Sequence, residues 1–347
     1  MKESREGWQA LAAGIARMTA VLLALLAVAA SGCSSGRDAA SPAVSPPPAA
    51  GNVSPPPAAG NVSLIPTRGV YLGAYVQPSI YTQPAQITAV QTFENQLGHP
   101  LKIVHVYHQW GKPFPGDADI HFANHGKILL LTWGGSPDTQ GIIAGRDDAM
   151  IRRTAQAVKA LGHPVMLEFR HEMDRPNLQA VMHGPADYIK AWDHIRAIFA
   201  AAGAANVSWV WCPTGLGFAD GRAQPFYPGD GEVDWVCADV YATSVTESLS
   251  AATAPFLAWA AHHDKPVIIG EFGVLGGDPA AWPAWLIAAG KLPESDHQIK
   301  AMVYFDANGV DSTNHPYQHW LGNQPAALSA FARLLAQPMY SASTNAP

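Results

Sequence analysis

Eight short apolar runs, each of a length that suits a β-strand, recur between residues 69 and 306 of the chain. They lie at 69–75, 101–107, 127–133, 164–170, 206–212, 233–240, 265–271 and 299–306. Longer stretches with helical patterning separate or follow them, near 84–97, 118–125, 146–161, 186–202, 247–263, 280–290 and 324–336. The connection between the fifth and sixth runs is poorly helical. Near-continuous apolar strands alternating with helices imply a parallel sheet covered on both faces. Eight such units in one domain favour an α/β fold closed as a (β/α)8 TIM barrel over an open doubly wound sheet. No Gly-x-Gly-x-x-Gly follows the first run, which also speaks against a dinucleotide-binding fold.

The first part of the 347-residue chain has a different character. Lys2, Arg5 and Arg17 precede an apolar run from Met18 to Ala30, which ends at Ala30-Ser31-Gly32-Cys33. A basic region, a short apolar core and small residues read as an export signal over 1–33. The run is too short for a membrane-spanning helix, which takes about 20 residues. The Cys after Ser-Gly resembles a bacterial lipoprotein box. Cys33 would then be lipidated and anchor an exported cell-envelope lipoprotein, its sole contact with a membrane. Ordinary cleavage, leaving Cys33 as a free thiol, is the alternative. Residues 34–63 are rich in Ser, Pro, Ala and Gly and repeat Ser-Pro-Pro-Pro-Ala-Ala-Gly-Asn-Val at 45–53 and 54–62. Such a segment has nothing to bury and favours an extended spacer, reaching about 90 Å at about 3.1 Å per residue. The folded domain is expected over 64–340, with a flexible tail at 341–347. A tethered barrel of this kind can work as a monomer.

A net charge of −6 and only 21 basic residues argue against nucleic acid as the partner. Export would permit a disulfide between Cys212 and Cys237, but Cys237 sits inside an apolar strand pattern, so two buried thiols are the favoured reading. The chain has 14 histidines, yet no His-x-His and no His-Glu-x-x-His. His105 and His108 have opposite parity on the second run, so they would not face one centre. Neither a metal nor another cofactor is expected, and the segment His315 to His319 reads as a solvated loop.

In barrels of this kind chemistry sits at the C-terminal ends of the strands. Those ends carry Tyr75, Tyr107 to Trp110, Trp133, Arg170-His171-Glu172, Trp211, Asp239 to Tyr241, Glu271 and Phe305-Asp306. Aromatic faces stack on sugar rings while polar groups take the hydroxyls. Tyr107, Trp110, Trp133, Trp211, Phe305 and Asp306 are therefore the expected substrate-binding residues. Cleaving a glycosidic bond needs two carboxyl groups flanking it. Glu172, just after the fourth run, and Glu271, ending the seventh, are the candidates.

These segments resemble glycoside hydrolase family 26. The resemblance is carried by His171-Glu172 after the fourth run, Thr132-Trp133, Ile143 to Asp148, Gly184 to Tyr188 with Ala191-Trp192, and Tyr227 to Asp230 with Val233 to Val236. Gly270-Glu271-Phe272-Gly273 completes the set, and the likeness spans about 69–335. The resemblance implies a retaining, endo-acting hydrolase of a β-linked polysaccharide such as mannan or mixed-linkage glucan. Glu172 would be the acid/base and Glu271 the nucleophile. His171 would orient the glutamate or a sugar hydroxyl, and Tyr241 would hydrogen-bond the nucleophile. Glu172 must be protonated near neutrality, so a neighbouring anion is expected beside it. Two features depart from the family pattern. Glu168 stands where arginine is common, with Arg170 two residues later, and a Glu168–Arg170 interaction would replace that arginine if the strand continues so far. Arg175-Pro176-Asn177 stands near the place where Gly-Trp often follows, which leaves the substrate open. A non-catalytic polysaccharide-binding lipoprotein and a transglycosylase with the same site are the alternatives.

Overall fold

The structure, a computed structural model, describes residues 63–310 and 316–342. The expected signal at 1–33 with Cys33, the spacer at 34–63 except its last residue, and His315 lie outside the described residues. Eight parallel strands close into one barrel in chain order. They are β1 (Tyr71–Val76), β2 (Ile103–Gln109), β3 (Ile128–Gly134), β4 (Val165–Phe169), β5 (Val207–Trp211), β6 (Trp235–Ala242), β7 (Val267–Val274) and β8 (Ile299–Asp306). β8 returns to β1, pairing Tyr71 with Ala301 through Val76 with Asp306. The helices that cover the barrel are α1 (Gln83–Leu97), α2 (Asp117–Asn124), α3 (Asp148–Leu161), α4 (Pro185–Ala202), α5 (Gly215–Asp220), α6 (Leu249–Ala260), α7 (Trp282–Ala289) and α8 (Pro325–Leu335). The fold is therefore the (β/α)8 barrel that the alternating pattern implies.

The strands are buried on both faces, and each face has its own core. Outward side chains pack with the helices in one large cluster. Inward ones, among them Tyr71, Ile103, Leu130, Met166, Trp235 and Val303, form a second cluster inside the barrel. Glycine is required where strands approach closely. A Cβ at Gly73 would lie 2.4 Å from the Ile103 carbonyl oxygen. One at Gly270 would lie 2.5 Å from Cys237 Sγ and 2.9 Å from Cys212 Sγ. Those two sulfurs are joined as a disulfide between residues at the end of β5 and on β6. The favoured reading of two thiols is thus corrected: parallel neighbours with inward side chains bring the cysteines together inside the barrel.

Other departures are local. The fifth connection does contain a helix, α5, which a Gly-rich six-residue sequence signals poorly; the Thr214 hydroxyl accepts the Gly217 N–H at 2.9 Å and caps it. Of the expected tail at 341–347, residues 343–347 lie outside the described residues. Ala342 is buried and joins Leu64 in the inner cluster, and the Val70 N–H donates to the Met339 carbonyl at 2.8 Å. His319, assigned to a solvated loop, is buried, with its ring stacked 5.1 Å from that of Tyr241. Among the described residues no helix is long and apolar enough to cross a membrane.

Candidate active site

The chain leaves β4 at Phe169 and turns through two left-handed, non-glycine residues, Arg170 at φ 47° and Glu172 at φ 53°. Such conformations cost about 1–3 kcal/mol each and persist where surrounding structure enforces them. Here the Glu172 N–H donates to the Cys212 carbonyl at 2.7 Å, tying the turn to the end of β5. Arg175, one turn on, pairs with Glu172 through Nη1 and Oε2.

Glu271 projects from β7 and is 6% exposed. The Tyr107 hydroxyl from β2 donates to its Oε1, and the Tyr241 hydroxyl from β6 donates to its Oε2. Burial pushes the Glu271 carboxyl up to about 7, and the Glu172 charge pushes in the same direction. The two tyrosines and Arg175 pull it back. The group touching Glu172 is the cation Arg175. Glu271 is the anion expected near Glu172, and Arg175, which the sequence reading did not place at the site, is added to it.

His171 sits edge-on to Tyr107 with ring centres 5.5 Å apart. Burial and the Arg170 charge lower its pKa well below the usual value, so the ring is neutral. Ligand atoms of His171, Asp239 and Glu271 lie within 4.8 Å of one another. Both oxygens of Glu271 also accept tyrosine protons. Asp239 is 4% exposed, and burial and the Glu271 charge raise its pKa well above the usual value. Glu168, Cys212 and Cys237 also converge, but the sulfurs are bonded to each other and offer no thiolate to a metal.

An aromatic wall closes one side of this mouth. Phe305 stacks on Tyr75 at 5.0 Å, and Tyr75 meets Tyr107 edge-on at 4.9 Å. Phe305 also meets Tyr241 at 6.1 Å. Tyr107 and Phe305 therefore stand at the carboxyl site, and Tyr107 does so as a partner of Glu271.

Three other expected binding residues do not. Trp133 and Trp211 are fully buried and point outward from β3 and β5. Trp133 packs against Trp110 and Phe114, and Trp211 against Phe218, Tyr227 and Trp259. Asp306 also faces outward, where its Oδ1 accepts the Leu321 N–H at 2.7 Å. Each was assigned to the cleft because it ends a strand, but strand parity turns it to the helix side. Trp110 is half-buried against Trp133, with its indole N–H on Asp147 Oδ2 at 3.2 Å, so it is a packed rim residue. The Glu168–Arg170 interaction does not form. β4 ends before Arg170, whose Nη1 donates to the His171 carbonyl at 2.7 Å. Glu168 turns inward to Thr132, beside His105 at 3.8 Å.

Arg175, His105 and Thr132 are the site residues that the sequence reading missed. Arg175 stands three residues after Glu172, a spacing that pairs charges on one turn. His105 was weighed only as a metal ligand. Its inward parity with Tyr107 was available in the sequence.

No family model matches the chain. Endoglucanase H of Acetivibrio thermocellus is 30% identical over 285 residues, 76% of this chain and 30% of that protein's length. The chain thus spans less than a third of this curated relative. A β-1,3-xylanase of a Vibrio species is 29% identical over 146 residues, 39% of this chain and 28% of the relative. Among solved structures, a GH26 β-mannanase from Bacteroides ovatus is similar at a TM-score of 0.57 and 15% identity, covering 79% of this chain and 90% of that one. A β-mannanase from a symbiotic protist of the termite Reticulitermes speratus, complexed with gluco-manno-oligosaccharide, is similar at a TM-score of 0.56 and 17% identity. That likeness covers 78% of this chain and 88% of the mannanase.

Proposed function

We infer that this chain is a glycoside hydrolase of family 26 that cuts a β-linked polysaccharide internally and with retention of configuration. The observation that carries the reading is the grip of two tyrosine hydroxyls on Glu271 at the end of β7, with Glu172 after β4 close enough to raise its pKa. Endoglucanase, β-1,3-xylanase and β-mannanase names among the similar proteins agree with a β-glycan substrate. Mannan and mixed-linkage β-glucan are the leading candidates.

In this reading Glu172 protonates the departing glycosidic oxygen while Glu271 attacks the anomeric carbon and forms a glycosyl-enzyme. Water, deprotonated by Glu172, then releases the sugar. Retention requires the two carboxyl groups to stand about 5–5.5 Å apart, which leaves no room for water between nucleophile and sugar. Tyr107 and Tyr241 keep Glu271 ionised by donating to the charged form. Arg175 holds the Glu172 carboxyl in place, and substrate entry must loosen that ion pair before the acid gives up a proton. His171 and Asp239 take hydroxyls of the sugar beside Glu271, and Phe305 offers its ring face. In the same reading the basic and apolar sequence at 1–33 supports export to the cell envelope on a lipid anchor at Cys33, and the tethered barrel works as a monomer.

The test is a panel of mannan, glucomannan, barley β-glucan, xylan and cellulose, with reducing ends counted over time. Glu172→Ala and Glu271→Ala run beside the unmodified protein. Cleavage of one polymer, abolished in both variants, is the expected outcome. Activity that survives in Glu271→Ala overturns the assignment.

A further inference from the structure

Beneath Glu271, inside the barrel, lies a line of polar side chains that the reaction above does not use. Glu168 on β4 is 1% exposed and is hydrogen-bonded through Oε2 to Thr132 Oγ1 on β3. Thr132 Oγ1 is 2.6 Å from His105 Nε2 on β2. His105 Nδ1 is 3.3 Å from the Tyr107 hydroxyl, which donates to Glu271. The contacts run without a break from Glu168 to Glu271.

The protons available on this line fix its direction. Thr132 and Tyr107 have one hydroxyl proton each, and a neutral imidazole has one ring proton. His105 is neutral, since burial pushes its pKa down to about 3. If Tyr107 gives its proton to Glu271, its oxygen is free to accept from His105, which places the ring proton on Nδ1. Nε2 is then an acceptor and takes the Thr132 proton. The Thr132 oxygen must in turn accept from Glu168, which has to be protonated. With Glu168 ionised every bond reverses. Thr132 donates to the carboxylate, His105 Nε2–H donates to Thr132, and the bare Nδ1 competes with Glu271 for the Tyr107 proton. The Gly270 carbonyl, also beside the imidazole, is a further acceptor for a ring proton.

We propose that Glu168 is a positioning residue which, as a neutral acid, points the Thr132–His105–Tyr107 chain toward Glu271 and so commits the Tyr107 proton to the nucleophile. The ionisable groups facing Glu168 are Glu271 on β7, Glu172 after β4, Asp239 on β6 and neutral His105. The Cys212–Cys237 disulfide completes its surroundings, with Cys237 Sγ 3.8 Å from Oε1. Burial favours its protonated form and, with the charges of Glu271 and Glu172, pushes Glu168 up to about 8. The catalytic consequence rests on Glu271 being the nucleophile, whereas the direction of the chain does not.

The imidazole nitrogens of His105, labelled with 15N in the full chain, report that direction by NMR between about pH 7.5, where Glu271 is ionised, and pH 10. Loss of the signals in His105→Asn assigns them. The expected result is a proton on Nδ1 at the acidic end, moving to Nε2 as Glu168 ionises near 8. In Glu168→Gln, whose amide donates at every pH, the proton stays on Nδ1 throughout. Glu168→Gln keeps kcat within about threefold, whereas the nearly isosteric Thr132→Val lowers kcat on the order of tenfold with KM little changed. A proton on Nε2 at the acidic end overturns the proposal, as does a tautomer change that persists in Glu168→Gln. An unaltered kcat in Thr132→Val overturns its catalytic part. Should the unmodified protein cleave no glycan, the hydrolase reading fails, while the tautomer titration still decides the direction of the chain.

Discussion

Replacing Tyr241 by Phe removes one of two hydroxyl donors from Glu271 and leaves the ring that stacks on His319 and meets Phe305. A hydrogen bond to a charged group contributes about 1.5–3 kcal/mol. At about 1.4 kcal/mol per unit, its loss raises the Glu271 pKa by roughly 1–2 units from its present value near 7. The sign follows from which form reacts. In the proposed reaction Glu271 works as a carboxylate, so activity is lost as pH falls through its pKa, and removing a donor moves that loss to higher pH. The assay is kcat/KM against pH, which reports the free enzyme. On the acidic side of the profile, Tyr241→Phe should be slower by about 10–100-fold, and the gap should narrow as pH rises. An acid limb that stays in place, or moves to lower pH, refutes the claim that this hydroxyl stabilises the ionised Glu271.

Trp211→Ala should lower stability by about 3–5 kcal/mol through the cavity it leaves, read as a fall in Tm, while Trp211→Phe keeps KM for the polysaccharide unchanged. A raised KM in the folded Trp211→Phe variant would return this residue to the cleft. Glu168, with a pKa of about 8 against an ordinary 4.5, holds a proton in the folded state that the unfolded chain releases. Stability therefore falls as pH rises between those values, so Glu168→Gln should raise Tm more at the alkaline end than at the acidic end. The opposite trend would mean that Glu168 is ionised and stabilised in the fold. A disulfide closing a separation of 25 residues stabilises by about 3–4 kcal/mol in the chain-entropy account. Thiol titration of the denatured, oxidised protein should accordingly find Cys212 and Cys237 unreactive, and Cys212→Ser should lower Tm.

Strand positions were legible in the sequence because a parallel barrel strand is apolar on both faces, and a run such as Lys127 to Trp133 is bounded by polar or turn-forming residues. Glu172 and Glu271 were legible because a carboxyl at the end of such a run has to be solvated or paired. The same both-face burial hid which strand-end aromatics look inward. Trp133 and Tyr107 both end apolar strands, and only the parity of the whole barrel separates the helix-facing indole from the cleft phenol. Arg170 was misplaced because β4 stops one residue sooner than its apolar run, and two left-handed residues break the alternation there. The His105–Thr132–Glu168 line joins residues from three strands, and no local pattern announces that assembly.

The most direct test of the account is to trap the glycosyl-enzyme. The protein is incubated with an activated 2-deoxy-2-fluoro glycoside of the sugar it releases from the preferred polymer, then digested and sequenced by mass spectrometry. One added glycosyl group, carried on Glu271, is the expected result. Turnover of the polymer without any adduct, or an adduct on Glu172, would contradict it.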